Sequence, residues 1–231
     1  MNITKEKTVA EVVTENVGAD HVFSKYNIDF CCGGDVTIDK ACKDKGLDFN
    51  VLKLKIETIV NKINTDVNVK EMDLVSLLNQ TQQVYHNYFN ENIPLISQLS
   101  AKVAEVHYLN HKEVVEVNIL FNKILPDLNE QINTEEKKLF PFIKNHLAQK
   151  NGEQFELEQL PKTILNFEKV QKQMADVFKN ISKITNNYSL PKDACNTFKL
   201  LYNNLQEFEQ NLHRFIHFEK NVLFPKVLEN L

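Results

Sequence analysis

Two glutamates that precede the same short phrase are the residues best suited to chemistry in this chain. Glu135 and Glu219 each begin a Glu-x3-Leu-Phe-Pro pattern, and the second copy follows 84 residues after the first. An internal echo at this distance predicts two similar helical hairpins that place two carboxylates at matching depth. Paired carboxylates inside a helical bundle are typical ligands of metal ions. One helical turn earlier, where a second ligand would reach the same ion, the chain has Gln131 and Phe215.

Four long amphipathic segments must position these glutamates. Apolar residues at three- and four-residue spacing predict helices at about 73–106, 111–148, 160–184 and 192–229. The inward stripes also carry five polar residues, which are His86, Gln131, Glu135, Gln171 and Glu219. Buried polar groups need partners. Either these residues bind metal, or they lie at a solvated end of the bundle.

The overall composition favours an all-α protein. The 231 residues are 42% hydrophobic, with five glycines and no tryptophan. Four long segments in such a chain predict an up-and-down four-helix bundle. A net charge of −4 with interspersed signs gives no footprint for nucleic acid. No apolar run approaches the ~20 residues of a membrane span, and the N-terminus lacks an apolar signal segment, so we expect a cytoplasmic protein without a membrane partner.

The first 63 residues predict a small helical domain of their own. Three short helices, at about 8–27, 37–46 and 48–63, surround the DFCCGG sequence of residues 29–34. Paired glycines break the helical pattern there because they permit positive φ angles and close backbone approach. Residues 64–72 are polar and predict a linker, and residues 73–231 form the predicted bundle.

The cysteines offer a second kind of chemistry. Four cysteines are too few for a disulfide scaffold, and Cys31 and Cys32 are adjacent, so we interpret them as reduced thiols and as the redox candidates. Cys42 and Cys195 are expected to be ordinary buried small residues.

Two sets of motifs in this chain are distinctive. The N-terminal motifs are Tyr26-x-Ile28-Asp29-Phe30-Cys31-Cys32-Gly33-Gly34, Ala41-Cys42 and Lys45-Gly46-Leu47-Asp48. The C-terminal motifs are Val106-His107-x3-His111, Thr185-Asn186-Asn187, Ala194-Cys195 and both Glu-x3-Leu-Phe-Pro phrases. Together these motifs resemble those of one known family, the Repair of Iron Centres proteins, and the resemblance covers nearly the whole chain.

The resemblance implies an N-terminal DFCCGG domain followed by a hemerythrin-like four-helix bundle with a di-iron centre. It further implies a stress-response protein that restores iron-sulfur clusters damaged by oxidants or nitric oxide. Its partners would be the proteins that carry those clusters. An iron-handling accessory role is favoured over enzymatic catalysis, and a homodimer is compatible with the sequence.

The family's ligand set carries over only in part. His86 matches the ligand on the first bundle helix, and Glu135 and Glu219 match the two bridging carboxylates. The resemblance implies three further histidines, one at the position of Gln131, one at or beside Gln171 and one at the position of Phe215. The site is therefore predicted to be degenerate, and to bind iron weakly, as one ion, or not at all.

His107 also matches a family histidine, but its spacing argues against a role at the carboxylates. In a simple antiparallel hairpin it lies at the turn after the first bundle helix, ~30 Å from them at ~1.5 Å per residue. It joins the site only if the helix breaks and folds back. Otherwise His107 and His111 form a pair at a solvated turn.

Two functions therefore stay open. The first is an iron-handling cluster-repair protein whose di-iron site is altered. The second is a non-catalytic, thiol-based redox-sensing or interaction protein that uses a metal-free bundle as its scaffold. In that case the amides of Gln131 and Gln171 hydrogen-bond Glu135 and Glu219, and His86 supplies a positive charge.

Overall fold

The structure is a computed structural model that describes residues 3–63, 69, 71–148 and 157–230. Most of the predicted linker, residues 64–68 and 70, lies outside the described residues. The described chain is helical, and its one strand-like pairing is an isolated bridge between Thr8 and Thr37. The all-α prediction is confirmed. No helix of the described chain combines the length and the apolar character needed to cross a membrane.

Eleven α-helices are present in the described chain. The first four are α1 Val9–Glu15, α2 Ala19–Lys25, α3 Ile38–Lys45 and α4 Phe49–Ile63. The others are α5 Leu74–Gln80, α6 Asn87–His107, α7 Glu113–Thr134, α8 Phe140–Leu147, α9 Leu160–Ile184, α10 Asn196–Phe218 and α11 Phe224–Asn230. A short 3₁₀ turn, Leu157–Gln159, precedes α9.

Three π-helical turns join consecutive α-helices into longer rods. Thr81–His86 joins α5 to α6, Glu135–Leu139 joins α7 to α8, and Glu219–Leu223 joins α10 to α11. The helices predicted at about 73–106, 111–148 and 192–229 are therefore continuous, and each contains one widened turn. The 3.6-residue period did not predict these widened turns.

By their contacts the described residues form two compact units. One unit runs to Leu77 and also includes His213–Asn230, and the other is Leu78–Leu212. The first unit therefore combines the N-terminal helices with the end of the last rod.

In the first unit, two helices, α1 and α2, take the place of the single helix predicted at 8–27. Gly18 adopts φ 92° and precedes α2, so the chain turns there. Such a φ is strained for residues with a Cβ. The predicted ends of the next helices are confirmed: Gly46 closes α3 at φ 62°, and the Asp48 carboxylate accepts from the backbone N–H groups of Asn50 and Val51.

In the second unit, one phenylalanine from each bundle helix meets in the core. Phe208 of α10 lies 5.2 Å from Phe89 of α6, 5.4 Å from Phe121 of α7 and 5.5 Å from Phe178 of α9, measured between ring centroids. All four rings are fully buried. The predicted inward stripes of α7, α9 and α10 are confirmed, since each apolar member is buried.

The turn between α9 and α10 places a tyrosine against a partly buried acid. Three consecutive residues, Asn186, Asn187 and Tyr188, have positive φ, and this turns Tyr188 into the bundle. Its hydroxyl donates to Glu209 Oε2 at 2.9 Å. Burial raises the pKa of Glu209 to about 7, and the hydrogen bond from Tyr188 opposes that rise.

This raised pKa makes the stability of the protein depend on pH. Between about pH 4.5 and 7 the folded state holds a proton on Glu209 that the unfolded chain releases, so the free energy of unfolding falls as pH rises. Glu209→Gln should remove this slope and stabilise the protein at pH 8 by about 1–3 kcal/mol. Urea unfolding of parent and variant from pH 4.5 to 8 measures it.

Glu207→Gln is the matched control, because Glu207 is exposed on the same helix. It should keep the pH slope of the parent. A Glu209→Gln variant with the parent's slope would show that this carboxyl titrates normally.

Candidate metal site

The two Glu-x3-Leu-Phe-Pro phrases form π turns. Each turn spans the phrase from Glu to Leu, and the N–H of the following phenylalanine donates to the glutamate carbonyl five residues earlier. Proline follows directly, at positions 141 and 225. A proline ring clashes with the carbonyl four residues before it in a regular α-helix, and a widened turn relieves this clash.

The third π turn ends at the histidine singled out from the sequence. Asn87 N–H donates to Gln82 O, five residues earlier, and His86 is the last residue of the turn. His86, Glu135 and Glu219 therefore all lie in π turns, which are frequent at functional sites.

These three residues are buried and close together. None has measurable exposure, and each offers one ligand atom that lies within 4.8 Å of those of the other two. An imidazole nitrogen and two carboxylate oxygens are suitable donors for a divalent cation such as iron.

His86 is held between two carboxylates. Its Nε2 lies 2.9 Å from Glu135 Oε2, and its Nδ1 lies 3.0 Å from Glu136 Oε1. The ring also stacks on Phe140, with 5.8 Å between centroids. Burial lowers the pKa of His86, but the hydrogen bonds and charges of Glu135 and Glu136 outweigh it, and the net direction is upward. Sequence reasoning missed Glu136, which lies one residue outside the inward stripe.

The two glutamines on the inward stripes are buried with the glutamates. Gln131 is 2% exposed, and its Nε2 donates to Glu135 Oε1 at 2.7 Å. Gln171 is 1% exposed, and Phe215 has no exposure. At the two positions where glutamine replaces an expected histidine, the core is therefore still polar, while at the third it is apolar.

His107 lies at the end of α6, next to a cysteine. Its Nε2 is 3.3 Å from Cys195 Sγ, and His111 Nε2 is 3.1 Å from Asp193 Oδ1. Cys195 directly precedes α10, and its sulfur accepts from the Phe198 N–H. The expectation that Cys195 is buried is wrong, since it is exposed. The residue stands before the helix rather than on its inward face.

The DFCCGG loop, residues 29–34, packs within the first unit. His217 Nδ1 lies 3.1 Å from Phe30 O, and Lys220 Nζ donates to Cys32 O at 3.3 Å. Gly34 is required by a close approach, because a Cβ there would lie 2.6 Å from Phe30 O. Burial lowers the pKa of His217 to about 4. His217 is buried, and its ring contacts the backbone of the loop.

The two adjacent cysteines differ in environment. Cys31 is buried, and its backbone N–H and thiol both contact Asp29 Oδ1, at 3.0 and 3.3 Å. A hydrogen bond with Cys32, burial and the charge of Asp29 together raise the pKa of the Cys31 thiol. Cys32 is partly exposed. Cys42 is buried, as expected.

Comparison with known proteins finds a matching domain family for each of two segments of the chain. Residues 5–60 match ScdA_N, a domain of unknown function (DUF542), and residues 78–227 match the hemerythrin HHE cation binding domain. The iron-sulfur cluster repair protein ScdA of Staphylococcus haemolyticus is 32% identical over 97% of this chain and 99% of its own length.

Two further relatives carry similar names. A probable iron-sulfur cluster repair protein of Haemophilus influenzae is 29% identical over 99% of both chains. The iron-sulfur cluster repair protein YtfE of Musicola paradisiaca is 27% identical over 97% of both chains. The chain therefore belongs to the iron-sulfur cluster repair family of the ScdA and YtfE type, with an N-terminal ScdA_N domain and a hemerythrin HHE cation-binding domain.

Proposed function

We propose that this protein helps to repair damaged iron-sulfur clusters by holding a single iron ion weakly at His86, Glu135 and Glu219. Three buried ligand groups on three π turns support this proposal. The names of the relatives and the cation-binding domain support the same role. When bound, iron supplies an exchangeable metal and a redox-active centre.

The donor count favours one ion over two. One imidazole and two carboxylates supply three side-chain groups, and water or an amide oxygen must complete the shell of a hard cation. The amide oxygen of Gln131 is a weak neutral metal ligand, and the side chain of Phe215 has no atom that can bind a metal ion. A di-iron centre would need more imidazole or carboxylate groups than these positions offer.

The protein also has a way to remain folded without the ion. The His86 imidazole lies between Glu135 and Glu136, so a proton on the ring gives a positive charge between two carboxylates. Gln131 adds a neutral donor to Glu135. These contacts compensate the buried carboxylate whether or not a cation is bound.

We propose that the protein acts in the cytoplasm on proteins whose clusters are damaged. All four cysteines are free, and free thiols are usual in a reducing compartment. A homodimer and a role in the nitric oxide response stay predictions of the family resemblance.

Iron content is the first test. Protein purified without chelator should bind less than about one iron per chain, and dialysis should remove it, because three protein donors hold a hard ion weakly. Glu135→Gln with Glu219→Gln should abolish binding, and Glu116→Gln, on the exposed face of α7, should not change it. Metal analysis and anaerobic iron titration measure these values. Two tightly held irons with oxo-bridge absorption would refute the single weak site, and no uptake would refute iron handling.

Restoring histidines tests the assignment of the degenerate positions. Gln131→His, Gln171→His and Phe215→His together should raise the iron content towards two per chain, since each adds an imidazole donor. The double variant Gln131→Leu with Gln171→Leu, in which Phe215 is kept, is the control. It should add no iron, because leucine offers no ligand atom. If the triple variant folds and gains no iron, these positions are not ligand positions.

A thiol-based function, the second candidate, is favoured by the exposure of Cys195 and the partial exposure of Cys32. Under native conditions, iodoacetamide should modify Cys195 and Cys32 at least about tenfold faster than Cys31 and Cys42, because buried thiols are inert. Mass mapping of the labelled peptides measures the order, and unfolding in urea should equalise the four rates. Fast labelling of Cys31 would show that the DFCCGG loop opens.

A further inference from the structure

A groove between α7 and α9 reaches the neighbourhood of the metal site. It has a volume of about 580 Å³ and opens to solvent. Its α7 wall is formed by Asp127, Glu130, Gln131 and Thr134. Counted from Asp127, the other three residues lie three, four and seven positions later, which places all four along one face of the helix. Its α9 wall includes Lys162, Thr163 and Asn166.

The residues that line the groove differ in exposure, and we take the exposed ones as its mouth and the buried one as its floor. Asp127 and Glu130 are exposed, Thr134 is half-buried, and Gln131 is 2% exposed. The amide of Gln131 donates to Glu135 Oε1 at 2.7 Å. A single side chain therefore separates the floor of the groove from a carboxylate of the metal site.

The chemistry of the groove suits a hydrated cation. Two carboxylates, of Asp127 and Glu130, and one ammonium group, that of Lys162, line the groove, so it carries a net negative charge that attracts cations. In the same lining, the hydroxyls of Thr134 and Thr163 and the amide of Asn166 offer neutral oxygens to the water molecules of a hydration shell.

We propose that this groove is the route by which a hydrated divalent cation enters and leaves the metal site, with Gln131 as the gate at its inner end. The proposal rests on the proposed function, because it needs a cation to bind at His86 and Glu135. Moving the Gln131 amide away from Glu135 frees the carboxylate oxygen for the incoming ion.

A route changes rates without changing affinity, and this gives a sharp test. Asn166 is exposed in the wall of the groove, so Asn166→Trp narrows the passage and leaves the site residues in place. With Co²⁺ as the probe, followed by its visible absorption in stopped-flow experiments, the association and dissociation rate constants should both fall by the same factor. We expect at least about fivefold, with Kd unchanged.

A second pair of variants tests the charge of the mouth. Asp127→Asn with Glu130→Gln should lower the association rate constant for Co²⁺ by about three- to tenfold at low salt, and the effect should shrink as salt screens it. Glu116→Gln with Asp176→Asn removes the same formal charge from exposed positions outside the groove, and should leave the rate closer to that of the parent.

Each outcome decides between the two proposals. If the parent binds no Co²⁺ or iron, the proposed function fails. If the parent binds Co²⁺ but folded Asn166→Trp and the charge variants keep its rates, the route is wrong and the metal site stands. A change in the dissociation rate alone, with altered Kd, would also overturn the route, because it shows an effect on the bound state.

Discussion

The contact between His86 and Glu135 is the interaction on which the rest of the structure depends. Neither side chain has measurable exposure, and a buried carboxylate without a partner would be very costly. The imidazole at 2.9 Å supplies that partner, and Glu136 holds the other side of the ring. A bound cation would take over the same task. The bundle therefore keeps one site that either a proton or a metal ion can neutralise.

The π turns explain how residues of this kind point inward from long helices. Around each widened turn the buried positions are spaced by five: Thr81 and His86, Glu135 and Phe140, and Glu219 and Phe224. A regular helix with this spacing would turn the second residue of each pair away from the core. The extra residue in the turn corrects the phase, so that the polar layer and the apolar residues beyond it share one interior. The repeated Glu-x3-Leu-Phe-Pro phrase marks two of these widened turns in the sequence.

Much of this arrangement follows from the sequence, because burial and spacing are coupled. The stripes of α7, α9 and α10 were readable since 3.6 residues per turn places their apolar members on one face. The same period could not reveal the turn at Gly18 or the π turn at Thr81–His86, which no proline follows closely. Nor could it reveal Glu136, whose role depends on where His86 lies in space. Exposure of Cys195 depends on where α10 begins, and helix ends are the least readable feature of a sequence.

Glutamines occupy positions 131 and 171, where the family resemblance implies histidines, and we infer that this replacement changes how tightly a cation can bind. In the structure Glu135 accepts one hydrogen bond from Gln131 and contacts His86, and an incoming ion must displace or share both. Hydrogen bonds to charged groups contribute about 1.5–3 kcal/mol each. Since about 1.4 kcal/mol is a tenfold change in affinity, each displaced bond weakens cation binding by about 10- to 100-fold. A histidine at position 131 would strengthen cation binding, because its imidazole would bind the ion instead of donating a hydrogen bond to the Glu135 carboxylate. We therefore propose that the amide favours an ion that is held briefly and released, which suits the handling of iron better than its storage.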